Sequence, residues 1–137
     1  MIDSKKRLFK KEYATELLVI AGGDLESALN LADKMQTGRP ENIVFLAQQS
    51  VKKCIKSVLV HLQIAFPLVH NLGILIALLP DEKIPPNGFT LTELNPYASV
   101  RRYEEGHLSL TVDEISAALK ASKEVSAWAQ AEIKKRP

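Results

Sequence analysis

Gln49, Lys53 and Lys56 fall at i, i+4 and i+7 in the stretch AQQSVKKCIKS, with Lys52 at their border. On a helix that spacing puts the side chains on one face, where unpaired like charges repel mildly. Such a face becomes favourable when phosphate oxygens or acidic side chains approach, because charge-assisted hydrogen bonds are stronger than neutral ones. The other reading is a solvated lysine face. His70 and Asn71 lie near the start of the apolar run LVHNLGILIALLP, where His70 with Asn71 either caps a helix or presents an imidazole to an anion. Arg101, Arg102 and Tyr103 offer a guanidinium and a ring that could grip a phosphate. The same pair could equally pack a loop onto the body of the protein.

Other chemistries lack their parts. Gly22-Gly23 has no Lys-Ser/Thr partner of a phosphate loop, the Ser, His and Asp residues are too scattered for a triad, and the carboxylates show no metal-ligand clustering. These absences favour a binding module.

The bulk properties set the frame. A chain of 137 residues has room for one domain spanning 1–137. With 46% hydrophobic and 25% charged residues it can bury a core. A net charge of +2 does not by itself argue for nucleic acid. Local basic clusters exist at Lys5, Lys6, Arg7, Lys10 and Lys11, and at Lys134, Lys135 and Arg136, and both read as solvated ends. Cys54 has no partner for an intrachain disulfide, which fits a reducing cytoplasm. The basic start is followed by a short apolar run without a small-residue cleavage site, so no secretory signal is expected, and LGILIALL is too short to cross a bilayer.

The elements that must position the lysines follow from periodicity. Leu17, Ala21, Leu25, Ala28, Ala32 and Met35 keep one helical phase, so a single helix is expected over about 5–36. That phase runs through Gly22-Gly23, a pair that costs roughly 2 kcal/mol against alanines and marks a kink or a close contact; a break into two helices is the alternative. TGRPEN supplies a Gly for a C-cap and a Pro for the next first turn. The second helix is expected over 40–63, with Val44, Ala47, Val51, Ile55, Val58 and Leu62 buried and Phe45 and Leu59 widening the stripe. A third is expected over 69–79, and a short irregular helix near 91–103 is interrupted by Pro96. The last, 111–135, starts at the Thr111/Glu114 capping box and buries Ile115, Leu119, Ser122, Val125, Ala129 and Ile133. No strand pattern appears, so the expected architecture is an all-α, up-and-down bundle of four to five helices, the first two antiparallel across their short connection.

The order AQQSVKKCIKSVL, FPLVHNLGILIALLP, NPYASVRRY and a C-terminal helix resembles the HEPN domain, the nucleotide-binding helical domain of higher eukaryotes and prokaryotes. The positions matching that family's pattern are Gln49, Lys53, Lys56, His70, Leu72, Arg102 and Tyr103. Lys52 stands where the family usually has Glu, and Glu104 where it usually has Pro. The resemblance implies a homodimer with the charged faces meeting at a shared cleft, and a nucleotide such as ATP or GTP as ligand. It also implies a minimal nucleotidyltransferase as partner, in the manner of a toxin–antitoxin pair. Several lineages of the family are ribonucleases with an Arg-x(4 to 6)-His motif, a spacing that Arg102 and His107 satisfy. Tyr103 after the Arg, Gly106 before the His, and the acidic Glu104 and Glu105 argue against that use. Three readings remain: a non-catalytic nucleotide or phosphate binder, a ribonuclease acting through Arg102 and His107, and a ligand-free helical scaffold.

Overall fold

The computed structural model describes residues 5–34, 39–98 and 110–135. Its centre is α2 (Pro40–His61), which starts with Pro in the first turn, where a missing N–H costs nothing. This helix is enclosed on most sides. Val44, Ala47, Val51, Cys54, Ile55, Val58 and Leu59 are all fully buried. Helix α1 (Tyr13–Asp33) packs along it through Ala14, Leu17, Ala21 and Ala28. The two run antiparallel, because Ser50 Oγ donates to Ala21 O (2.8 Å) while Gln63 Nε2, further along, donates to Phe9 O (3.1 Å). Helix α4 (Val112–Ile133) covers α2 from another side, and the short α3 (Leu72–Ile76) with a 3-10 segment, Gly88–Ala98, completes the bundle. A second 3-10 turn, Asp81–Lys83, is tied to the end of α4 by Glu132, which accepts from Lys83 Nζ (2.9 Å) and Lys135 Nζ (2.8 Å).

The all-α expectation holds, with several boundaries moved. Helix α1 begins at Tyr13 rather than near residue 5, because the chain before it turns back onto the body: β1 (Lys6–Arg7) pairs antiparallel with β2 (Phe66–Pro67), Arg7 opposite Phe66 and Lys6 opposite Pro67. A two-residue ladder formed by tertiary pairing leaves no alternation for a sequence to display. The α1 helix runs unbroken through Gly22 and Gly23, and a Cβ at either glycine would meet nothing within 4 Å. Neither a break nor a close contact explains the pair. The described part of α1 ends at Asp33; Met35, Gln36 and Gly38 lie outside the described residues.

Helix α3 is shorter than the 69–79 expected. Asn71, not His70, caps it: the Asn71 side chain accepts from Gly73 N at 2.9 Å. Beyond Ile76 the amides of Leu78 and Leu79 bond three residues back, to Leu75 and Ile76, so the α-helical ladder tightens and stops before Pro80. The region near 91–103 is 3-10 over Gly88–Ala98, accommodating Pro96, and its continuation lies outside the described residues. At α4 the expected Thr111/Glu114 capping box forms: Glu114 N donates to Thr111 Oγ1 (3.1 Å) and Thr111 N to Glu114 Oε1 (2.9 Å).

The end of α2 anchors the N-terminal segment. Gln63 N donates to Val60 O and Ile64 N to Leu59 O, both at 2.9 Å, a Schellman closure with Gln63 at φ 58° where glycine is usual. The left-handed conformation costs about 1–2 kcal/mol. The Gln63 side chain gains bonds to Val60 O and Phe9 O in return, and so holds the residues before α1 against the end of α2.

Candidate functional site

Helix α2 presents Lys52, Lys53 and Lys56 to a cleft of about 200 Å³, whose other walls are Phe9, Tyr13, Leu17, Phe66 and Leu68. The ladder carries Phe9 to it, the start of α1 brings Tyr13 and Leu17, and β2 brings Phe66. The aromatic rings form a continuous wall: Phe9 stacks on Phe66 with centroids 5.3 Å apart, and Tyr13 follows at 5.2 Å from Phe9. Lys56 Nζ lies over the Phe66 ring, 5.7 Å from its centroid, a cation–π contact.

The three lysines differ in their surroundings. Lys53 Nζ is bound to Asp24 Oδ2 at 2.6 Å, so it is not the unpaired charge that its sequence spacing suggested. Lys52 is 5% exposed, far from a solvated side chain, and its Nζ lies 3.1 Å from His70 Nδ1. Burial, then Lys56, then Lys53 pull its pKa down to about 8, against the opposing Asp24 charge. The Lys56 ammonium is likewise lowered, by burial first and then by Lys53. The Lys52 charge, with lesser help from burial and Lys56, lowers His70. A neutral His70 can then accept from the Lys52 ammonium. The cleft therefore holds positive charge in partly dehydrated surroundings, an arrangement that an incoming anion would relieve.

Gln49 is set apart from this group. Its Nε2 donates to Gln48 Oε1 at 2.9 Å, and it does not line the cleft. Arg102, Tyr103 and His107 lie outside the described residues. Sequence reasoning missed Phe9, Tyr13 and Phe66. The available signal was the i, i+4 spacing of Phe9 and Tyr13 within the basic run KKRLFKKEY, which reads at first as a solvated end.

Cys54 is buried, and burial pushes its thiol up to about 12, so it is an inert core residue. Among the described residues no group of His, Cys, Asp and Glu could hold a metal ion, and no helix is long and apolar enough to cross a membrane.

The HEPN domain family model matches residues 14–133. The chain belongs to the HEPN family. Among solved structures, the HEPN fold seen here is similar to the crystal structure of TT1696 from Thermus thermophilus, with a TM-score of 0.72 and 21% identity over 87% of this chain and 97% of that one. At that identity the likeness speaks for the fold alone. No curated protein matches the chain at a significant level. Phe9 precedes the span matched as HEPN, and Tyr13 stands just before it, so two rings of the aromatic wall come from residues outside the matched span.

Proposed function

We propose that this HEPN chain is a cytoplasmic binding module for a nucleotide or similar phosphate-bearing ligand, held in the cleft between the α2 lysines and the aromatic wall. The observation that carries the reading is that Lys52, Lys53 and Lys56 share one cleft with Phe9, Tyr13 and Phe66. Aromatic faces take a base by stacking, and lysines take phosphates by charge-assisted bonds. A volume of about 200 Å³ falls below the roughly 300–1,000 Å³ of pockets that enclose a whole drug-sized ligand. The cleft thus suits one end of a nucleotide, with the rest lying across its mouth.

The partner expectations belong to the same proposal. A homodimer is supported by the exposed apolar side chains Val19 and Ile20 on the outer side of α1, and a nucleotidyltransferase would bring the chemistry that the module does not supply. Titration calorimetry with ATP and GTP tests the binding. A dissociation constant on the order of micromolar to millimolar is expected, weakening as salt rises. Phe9→Ala and Lys56→Gln should each weaken it severalfold. Absence of binding by the native chain, or binding indifferent to both substitutions, overturns the reading. An RNA digestion run on the same preparation covers the alternative: cleavage abolished by His107→Ala would make the protein a ribonuclease instead.

A further inference from the structure

Lys52 has the features of a nucleophile rather than of a simple phosphate contact. The residue is 5% exposed and lines the cleft, and its Nζ has no carboxylate within ion-pair distance among the described residues. Among the described residues the charged groups around it are Lys53 and Lys56 on its own helix and Asp24 on α1, and Asp24 is already held by Lys53 at 2.6 Å. From the segment before α3, His70 Nδ1 stands 3.1 Å away. Desolvation beside other cations is one of the ways a protein makes a lysine amine reactive, by leaving a usable fraction of it uncharged near neutral pH. The lowered pKa of about 8 agrees with that placement.

We propose that Lys52 forms an imine with a small aldehyde that carries a phosphate group, with Lys53 and Lys56 holding the phosphate and Phe9 and Tyr13 flanking the body. The inference rests on the reading of the cleft as an anion site. In the reaction the neutral Nζ attacks the carbonyl carbon, a C–N bond forms, and the C=O π pair moves to oxygen. The two amine protons pass in turn to that oxygen, with His70 Nδ1 placed to relay them, and the oxygen leaves as water. Amine and aldehyde give imine and water with no change in oxidation state.

The test incubates the full chain with pyridoxal 5′-phosphate, or with pyridoxal lacking the phosphate, then reduces with borohydride and maps the labelled peptides. The expected result is one dominant adduct, on Lys52, formed roughly tenfold faster with the phosphorylated aldehyde because the lysine rim concentrates it. Its rate should climb with pH through about 8, as the amine loses its proton. Excess ATP should slow it, and Lys52→Met should leave no dominant adduct. Labelling spread over exposed lysines such as Lys10 and Lys120 overturns the inference. ATP binding without a Lys52 adduct overturns the imine and leaves the anion site standing. Selective labelling of Lys52 at equal rates by both aldehydes overturns the phosphate preference and the anion site together.

Discussion

Lys53 Nζ sits 2.6 Å from Asp24 Oδ2, so the cleft carries its own competitor for one of its three cations. Both side chains are partly covered, 26% and 20% exposed, and the pair is therefore less screened than a surface ion pair. A phosphate reaching Lys53 must share it with Asp24 or displace it. Asp24→Asn should then tighten ATP binding by about tenfold, the equivalent of about 1.4 kcal/mol, while lowering stability by about 1 kcal/mol. Calorimetry on the variant checks this, and an affinity that is unchanged or weaker refutes the competition.

Lys52 gives a stability prediction whose sign runs against the usual lysine. Its folded pKa, about 8, lies below the ordinary 10.5, so between those values the unfolded chain binds a proton that the folded chain has released. Stability from this group consequently rises with pH across that window, and below about 8 the full cost of the buried charge is present. Lys52→Met removes that cost. It should melt several degrees higher than the native chain at pH 7, up to a bound on the order of 3 kcal/mol. The gap should close as pH approaches 10. Circular dichroism melts at four or five pH values decide it, and a variant that melts lower at pH 7 contradicts the assignment.

Gly23 is exposed in the middle of α1, and a Cβ there meets nothing within 4 Å. Gly23→Ala should therefore stabilise the protein by about 0.5–1 kcal/mol through helix propensity and a less flexible unfolded chain. Urea unfolding should show a higher midpoint with the same slope. Loss of stability would mean that the helix needs the glycine for a reason other than packing.

Val19 is 71% exposed and Ile20 47%, adjacent on a helix whose opposite face is core. If they meet a second copy, light scattering at micromolar concentration should give about twice the chain mass. Val19→Glu should return the monomer, since a desolvated carboxylate is costly at an apolar interface. A native chain that is monomeric at that concentration removes the dimer.

Much of the frame was readable because helical phase is a strong, redundant signal. Val44, Ala47, Val51, Ile55 and Val58 repeat often enough to place α2, and Thr111 with Glu114 marks the first turn of α4 within one residue. The site was readable only in half. The spacing of Gln49, Lys53 and Lys56, with Lys52 at the border, assigned them to one face, yet Gln49 does not line the cleft, and nothing local to α2 could show that Asp24, 29 residues before Lys53, neutralises it, or that burial withholds water from Lys52. The aromatic wall was harder still. Phe9 and Phe66 meet only because a two-residue ladder closes across the fold, and their partnership has no periodicity in either segment. Nor are Lys53 and Lys56 the freely replaceable surface cations that their spacing alone suggests, since one is in an ion pair and the other covers the Phe66 ring.

The ladder Lys6–Arg7 on Phe66–Pro67 has a thermodynamic consequence of its own. A clasp that small, held besides by Gln63 Nε2 on Phe9 O, is expected to open at a free energy below that of global unfolding, so that Phe9 would leave its stack in a fraction of molecules while the bundle stays intact. Measured affinity is then the intrinsic affinity multiplied by the closed fraction. Any ligand that rests against Phe9 draws the population toward closure, and amide exchange at Arg7 and Phe66 should slow in proportion to its occupancy. The cleft would tighten as it fills, with the bundle beneath it unmoved.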